Sequence, residues 1–534
     1  MYSPEWLEFT LAGLALALLG LALPSLLSAY GVALRDWRAA DRGSLALFLV
    51  ALALAAALRW LVFPRWLAMV FIGYLQTQRA IDLLPLAHYG AGSAAYYHAL
   101  LGWLPADHAS VMWVNSVTGV LALPLAATLA ARVAGSPRVG AWFALLVAVT
   151  PMFIRNDNSE ANNVPLLWWL CGGGLLAWEH RERAERAIAA QAAVLLALAA
   201  ISRPEAPLVV GVVLVVLVRA RPAAAGARDR FGRALVGLGL LVCAPHLLHV
   251  VLAAGVVGTM SVLDLLPRLA SAVTVHNVFV DPRLFPAGSV LLAIFAARRQ
   301  RAAAWALLFA AGCALVYVVD LCRGNMARVL VPAALVVTSV AAVGLERWLR
   351  ERPRARWPSL GALAVSVGVT APFLYAPTNE QAEDDFIREA LAQLPREAKV
   401  FVRHGYLDLN EPGALGVTQQ HFPDYLLDAR AGPTRVVTLG EFRESPEFTV
   451  PVYLYWGVRC SGRFRDEGTP APRGGLVQPA CAAVGEQFRL EPVVERRVRN
   501  RGDVWLEYYS DQPELPLALF RVWPRERGAG SPGE

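Results

Sequence analysis

The stretch TPMFIRNDNSEANNVP, residues 150–165, is strongly polar, although long apolar segments flank it on both sides. It holds Arg155, Asp157 and Glu160 together with several asparagines. Such a stretch is either an ordinary turn between two membrane helices or one wall of a functional site. The whole chain has 534 residues and is 56% hydrophobic. A soluble fold cannot bury so many long apolar runs, so the composition predicts an α-helical polytopic membrane bundle.

Apolar runs suited to crossing the bilayer recur along most of the chain. A span needs about 20 apolar residues, and fewer where polar ends reach the headgroups. This length predicts about twelve spans. They lie near residues 8–30, 44–62, 109–131, 139–154, 163–178, 187–201, 205–218, 234–254, 286–297, 302–320, 328–345 and 358–374.

The loops between these spans alternate in arginine content. One set of loops is rich in arginine: Arg35, Arg38 and Arg42; Arg132 and Arg138; Arg181, Arg183 and Arg186; Arg219 to Arg233; Arg298, Arg299 and Arg301; and Arg347 to Arg356. The positive-inside rule places this set in the cytoplasm. The N-terminus, residues 63–108, residues 155–162 and everything after Pro377 then share the outer side. We therefore expect a bacterial-type inner (plasma) membrane protein with both termini extracytoplasmic, whose first span is an uncleaved anchor.

Residues 63–108 are too polar to span the membrane and too apolar for a free coil. PRWLAMVFIGYLQTQRAIDLLPL (64–86) and AAYYHALLGWL (94–104) have helical periodicity. They predict interfacial helices on the outer leaflet, or a re-entrant pair that only seals the bundle.

The last third of the chain has a different pattern. QAEDDFIREALAQL (381–394) predicts an amphipathic helix, and alternating segments rich in Val, Tyr, Phe and Trp predict strands. These features predict a small C-terminal α/β extracytoplasmic domain. Cys460 and Cys481 flank a loop rich in Gly and Pro, and they form a disulfide if this domain faces an oxidising compartment. The expected divisions are 1–43 (an extra span and a cytoplasmic loop), 44–377 (the membrane domain) and 378–534 (the outer domain).

Four segments carry a resemblance to a known family. They are LAHYGAGSAAYYHALLGWL (86–104), VNSVTGVLALPLAATLAARVAG (114–135), TPMFIRNDNSE (150–160) and CRGNMARVLVPAALVV (322–337). In order and position they resemble the GT-C superfamily of membrane glycosyltransferases, which includes protein mannosyltransferases and aminoarabinose transferases. The resemblance implies a GT-C-like bundle that moves a sugar from a polyprenyl-phosphate carrier to an extracytoplasmic lipid, glycan or protein acceptor.

This resemblance also implies roles for particular residues. Members of the family usually carry an acid early in the first outer loop, whereas this chain has none there before Asp82. Asp82 is then a displaced equivalent, or the base comes from elsewhere, so Asp82, Asp157 and Glu160 are the catalytic candidates. Asp157 and Glu160 could also hold a divalent cation such as Mg or Mn. The substrate-binding candidates are Arg155, His88, Arg203, Arg323 and Arg328. Arg323 and Arg328 flank a short outer loop, and the fork of an arginine suits a phosphate.

Other classes of function compete with this interpretation. A structural turn explains Asp157 and Glu160 if they only favour the N-terminus of the next helix. A non-catalytic binder of a lipid-linked sugar fits the missing early acid. A membrane transporter or flippase would favour internal repeats and mid-membrane charges, and the sequence has neither. Nucleic-acid binding is set aside, since the sequence shows no helix-turn-helix, zinc-finger or Gly-Lys phosphate-loop pattern.

Overall fold

The computed structural model describes residues 5–62, 90–101, 108–158, 163–203, 206–219, 244–248, 279, 284–316 and 330–375 of the helical part. In the C-terminal part it describes residues 385–386, 389–390, 392–395, 398–402, 435–438, 449–456, 463–464, 485–499, 508–509 and 514–524. The described residues up to Tyr375 form one compact unit, and those from Asp385 onward belong to another.

The helical unit contains thirteen named α-helices in its described part. They are α1 (Glu5–Ala39), α2 (Arg42–Val62), α3 (Ala91–Leu101), α4 (His108–Ala134), α5 (Pro137–Val149), α6 (Pro151–Asp157), α7 (Asn163–Arg183), α8 (Arg186–Ala200), α9 (Ala206–Arg219), α10 (Ala287–Arg299), α11 (Arg301–Val316), α12 (Val331–Glu351) and α13 (Arg356–Tyr375). In their described parts, ten of the twelve predicted spans each overlap one of these helices; the exceptions are 139–154, which two helices share, and 234–254, of which only residues 244–248 are described.

Several of these helices suit a membrane by length and composition. Among the described residues, four helices are long and apolar enough to cross, or five if the bent pair α5–α6 counts as one span. The predicted total of about twelve spans stays a prediction. Large apolar side chains on these helices face outward: Leu23 is 64% exposed and Trp60 is 68% exposed. Contact with lipid tails explains such exposure, and a tryptophan at a helix end suits the membrane interface.

The predicted span 139–154 is not one continuous helix, so this prediction was wrong in detail. The chain bends by 70° between α5 and α6. Thr150 lies at the bend with φ −78° and ψ 119°, which is an extended conformation. Proline disfavours helical backbone in the residue before it, and Pro151 then starts α6 because a first-turn proline needs no amide donor. The new helix continues through Asp157, where the sequence predicted an open outer loop from residue 155.

One end of the helical unit is held by ion pairs between predicted cytoplasmic loops. Glu179, near the end of α7, lies 2.8 Å from Arg35 of α1, 2.7 Å from Arg132 of α4 and 2.7 Å from Arg183. Arg132 also pairs with Asp36 at 2.5 Å. The ends of α1, α4 and α7 therefore meet, as expected of loops that share one side of the membrane.

A second group of charges at this end links α5 to α12. Arg138 pairs with Glu346 at 3.3 Å, and the Trp142 indole donates a hydrogen bond to Glu346 at 3.1 Å. The arginines of predicted cytoplasmic loops thus take part in the packing of the bundle. They do not simply point into water.

The C-terminal unit contains seven strands in its described part: β1 (Lys399–Val402), β2 (Arg435–Thr438), β3 (Val452–Trp456), β4 (Arg463–Phe464), β5 (Phe488–Arg499), β6 (Tyr508–Tyr509) and β7 (Glu514–Pro524). Five of them form a sheet in the order β2-β1-β3-β7-β5, and β4 pairs with β6. Strand β1 is parallel to β2 and β3, whereas β7 is antiparallel to β3 and β5.

Part of the predicted helix 381–394 covers this sheet. Residues 385–386 and 389–390 are helical, and the Phe386 ring lies 6.2 Å from that of Tyr455 on β3. Val452, Leu454 and Val522 form a small buried core. The C-terminal unit is therefore a mixed α/β structure.

Candidate functional site

Helix α6 is a short, fully buried segment that continues the bent end of α5. Every residue from Pro151 to Asn158 is buried. The Thr150 hydroxyl donates to the carbonyl of Leu146 at 2.6 Å, and the Met152 amide donates to the carbonyl of Leu284 at 2.9 Å. The second bond satisfies a first-turn amide of α6 that has no partner within its own helix. Residues 150–158 of the opening stretch are thus packed inside the protein.

Asp157, at the end of α6, forms an ion pair with Arg59 in the last turn of α2. Asp157 Oδ2 accepts hydrogen bonds from Arg59 Nε at 2.8 Å and from Arg59 Nη2 at 2.5 Å. The Arg59 side chain is 2% exposed and that of Asp157 is 9% exposed. A buried charge is costly unless it is paired and hydrogen-bonded, and here each ion supplies the other's counter-charge.

Two asparagines complete the surroundings of this ion pair. Asn156 donates to Asp157 Oδ1 at 3.0 Å, so both oxygens of the carboxylate accept hydrogen bonds. Asn158 donates to the backbone carbonyl of Arg59 at 2.9 Å and accepts from the Ser116 hydroxyl of α4 at 2.7 Å. Side-chain hydrogen bonds therefore tie the end of α6 to α2 and to α4.

Gly119 of α4 provides the space that the Asp157 carboxylate occupies. A Cβ atom at Gly119 would overlap the carboxyl carbon and oxygen of Asp157. Glycine allows this close approach because it has no side chain. A glycine at position 119 thus leaves room for the ion pair that α2 and α6 form beside it.

Aromatic side chains line the buried interior next to this polar cluster. The Tyr96 hydroxyl of α3 donates to Thr118 at 2.8 Å, one residue before Gly119. The Tyr96 ring meets those of Trp168 and Trp169 edge to face, at 6.1 and 6.2 Å. Helix α3, which the sequence predicted at the membrane interface, therefore buries its tyrosines inside the bundle.

Of the other predicted site residues, the structure describes only Arg155 and Arg203. Arg155 is 5% exposed and lies on α6, two residues before Asp157. Arg203 is half buried in the turn after α8, and its carbonyl accepts a hydrogen bond from His246 Nε2 at 3.2 Å. The remaining predicted residues lie outside the described part of the chain: Asp82, His88, Glu160, Arg323, Arg328, Cys460 and Cys481.

The structure therefore places Asp157 in contact with Arg59, which the sequence did not single out, and it places Arg155 on the same short helix. Within the described ranges no cluster of three or more His, Cys, Asp or Glu side chains has the arrangement of a metal site. The predicted cation site at Asp157 and Glu160 stays a prediction, because Glu160 is not among the described residues.

Arg59 is the functional candidate that the sequence interpretation missed. It lies near the end of the predicted span 44–62, where a cation normally reaches toward the interface. A charged residue inside an apolar span is a functional candidate by default, and this rule would have marked it. Its partner is 98 residues away, so no local pattern identifies the pair.

Known proteins resemble this chain in fold. No protein-family model and no curated protein sequence matches the chain. Among solved structures, ArnT from Cupriavidus metallidurans bound to undecaprenyl phosphate aligns with a TM-score of 0.51 at 14% identity, covering 90% of this chain and 98% of that one. Its apo state aligns with a TM-score of 0.48 at 12% identity, covering 88% and 97%.

A more distant similarity is to the oligosaccharyltransferase AglB from Archaeoglobus fulgidus, in complex with an inhibitory peptide and a dolichol-phosphate. It has a TM-score of 0.40 at 12% identity and covers 68% of this chain and 62% of that one. ArnT is a GT-C glycosyltransferase, and its alignment at a TM-score of 0.51 is the one that carries the fold assignment. The chain therefore has a GT-C-like fold, and with its apolar helices it is a membrane protein. At these identities the likeness establishes the fold and leaves the activity open.

Proposed function

We propose that the protein is an integral membrane glycosyltransferase that moves a sugar from a polyprenyl-phosphate carrier to an extracytoplasmic acceptor. The observation that carries the proposal is the GT-C-like fold, which aligns over 90% of the chain with a protein whose structure holds undecaprenyl phosphate. The buried polar cluster around Asp157 supports it, because a membrane bundle retains such groups mainly where they serve a site.

The proposed reaction makes definite demands on the site. The bond between the sugar C1 and the phosphate oxygen breaks, a bond from C1 to the acceptor oxygen forms, and the acceptor proton passes to a base. The phosphate departs with the carrier and needs cations near it. We assign the base to Asp82 or Glu160, and we assign phosphate contacts to Arg323 and Arg328, where two arginines flank one short loop.

Asp157 suits a supporting role better than the role of base. Its two oxygens already accept hydrogen bonds from Arg59 and Asn156. A carboxylate paired with a buried guanidinium is a poor proton acceptor, because protonation would leave the arginine charge without its counter-ion. A cation shared by Asp157 and Glu160, of the Mg or Mn type, would have to compete with Arg59 for the same oxygens.

The remaining assignments concern the surroundings of the reaction. Arg155, His88 and Arg203 are assigned to donor or acceptor binding. The C-terminal α/β unit is assigned to the outer side. Its position predicts that Cys460 and Cys481 are joined. Mass spectrometry of the unreduced, alkylated protein would show both cysteines unmodified and linked; alkylation of both would contradict the outer location.

A non-catalytic binder of lipid-linked sugar is the second candidate. The observation that favours it is the commitment of Asp157 to Arg59, together with the lack of an acid before Asp82 in the first outer loop. A binder would retain the donor without consuming it, which separates the two functions in one assay.

The test is a transfer assay with membranes that contain equal amounts of wild type, Asp82→Asn, Asp157→Asn and Glu160→Gln. Labelled sugar on a set of polyprenyl-phosphate carriers is the donor. The variant that lacks the general base is expected to lose transfer activity by about a hundredfold or more. Donor bound but never consumed by the wild type would favour the binder, and neither binding nor transfer would contradict both proposals.

A further inference from the structure

The end of α6 is fixed in space by contacts that converge on one residue of α2. The Arg59 guanidinium donates twice to Asp157, and the Arg59 carbonyl accepts from Asn158. Arg59 Nη1 also donates to the carbonyl of Ala55 at 3.2 Å, one turn earlier in its own helix. The side chain and the backbone of a single residue therefore hold two successive residues at the end of α6.

Helix α6 depends on these contacts more than a longer helix would. It has seven residues, and the bend of 70° at Thr150 separates it from α5. A helix of two turns adds little stability of its own, so tertiary contacts determine where it lies. Among the described residues, Arg59 and Ser116 supply such contacts at its far end, to Asp157 and Asn158.

From these observations we infer that Arg59 is a positioning residue for the proposed transfer reaction, because it fixes the end of α6 that carries Asp157. The inference rests on the proposed function. Arg59 touches neither donor nor acceptor; it acts through Asp157 and Asn158. Removal of its guanidinium would leave the Asp157 carboxylate buried without a counter-ion, and the end of α6 would move to find another partner.

The first test measures the position directly and needs no activity. Hydrogen–deuterium exchange is followed in the full-length protein for peptides that cover residues 151–158, in wild type and in Arg59→Gln. Exchange there is expected to rise on the order of a hundredfold, because opening no longer breaks a buried ion pair. Peptides of α8 serve as the internal reference and should not change. Equal exchange at residues 151–158 in both proteins would overturn the inference.

The second test asks whether the position serves catalysis. In a transfer assay, Arg59→Gln should lower kcat about a hundredfold, as misplacement of a catalytic group by about 1 Å can do. The KM for the donor should stay within about threefold, since Arg59 makes no contact with it. Arg59→Lys keeps the charge but loses the fork, so it should recover part of kcat.

The control variant is Glu179→Gln, which removes a buried carboxylate at the other end of the helical unit. If it lowers thermal stability as much as Arg59→Gln but leaves kcat unchanged, the effect of Arg59 is specific. Faster exchange at residues 151–158 with an unchanged kcat would overturn the positioning role while the proposed function stands. A wild type that transfers no sugar from any donor would overturn the proposed function and the catalytic part of this inference, and the exchange result would still decide whether Arg59 holds α6.

Discussion

Replacing Glu179 by glutamine tests the ionic network that closes the end of the bundle formed by α1, α4 and α7. The Glu179 side chain is 1% exposed. Its oxygens lie 2.9 and 2.8 Å from Arg35, 2.7 Å from Arg132 and 2.7 Å from Arg183. Glutamine keeps the size and one acceptor oxygen, but it removes a negative charge that these three arginines share.

The expected loss of unfolding free energy depends on which of the three arginines is buried. Loss of one partner of a buried ion pair costs about 3–5 kcal/mol. Arg35 and Arg183 are 44% and 48% exposed, so water screens them and they add little. Arg132 is 12% exposed and keeps Asp36 as a second partner. We therefore expect a loss of about 3 kcal/mol, the low end of that range, or about a hundredfold in the unfolding equilibrium.

The assay is equilibrium unfolding of the purified full-length protein in mild detergent with increasing dodecyl sulfate. Glu182→Gln is the matched control on the same helix, because its carboxylate is 54% exposed and lies 3.2 Å from Arg132. This control should lose less than about 1 kcal/mol. Equal losses in the two variants, or no loss in Glu179→Gln, would refute the reasoning.

Three further changes have expected outcomes. Gly119→Ala would place a methyl group on the Asp157 carboxylate, and it should cost about 1–3 kcal/mol and also lower transfer activity. Gly344→Ala would meet a backbone carbonyl of α10 and should cost about 1–3 kcal/mol as well, without a specific effect on activity. For Asp41, hydrogen bonds from the Ser44 hydroxyl and amide lower the pKa below its ordinary value of 3.8. The stabilising contribution of Asp41 is thus present above pH 3.8 and is lost as the pH falls through the lowered pKa. The difference in Tm between wild type and Asp41→Asn should therefore shrink as the pH is lowered from 3.8 through that pKa.

The control for the two glycine substitutions is a glycine where the added methyl group would contact nothing. Gly20→Ala has open space around the new methyl group and should be neutral, so an equal loss there would contradict the packing argument for both glycines. For Asp41, a difference in Tm that is independent of pH would show that its charge plays no part in these hydrogen bonds. Thermal unfolding in detergent measures all of these changes.

The sequence predicted the positions of the helices well because each membrane helix carries its own signal. Apolar length and the arginines of the loops are local properties, and the predicted spans fall on observed helices accordingly. The meeting of Arg35, Arg132 and Arg183 at Glu179 agrees with the shared side that the arginine pattern predicted. Strands of the C-terminal unit were predicted for the same reason, since alternation of apolar residues is local.

The candidate site was less accessible to sequence reasoning, because it depends on pairing between distant segments. Asp157 was identified as a candidate, but its partner Arg59 is in a different span. The bend at Thr150 has a local cause in Pro151, yet the apolar run continues across it and hides the break. The order of strands in the sheet likewise depends on contacts that no single strand specifies.

The measurement that tests the proposed glycosyl transfer most directly is consumption of donor by the wild-type protein. Proteoliposomes that contain the full-length chain are supplied with polyprenyl-phosphate sugars and an extract of cell-envelope acceptors, and the lipids are analysed by mass spectrometry. We expect one donor to be converted to free polyprenyl phosphate as its sugar passes to an acceptor, and protein-free liposomes to show no conversion. Full retention of every donor, at protein levels where its binding is measurable, would contradict the proposed transfer.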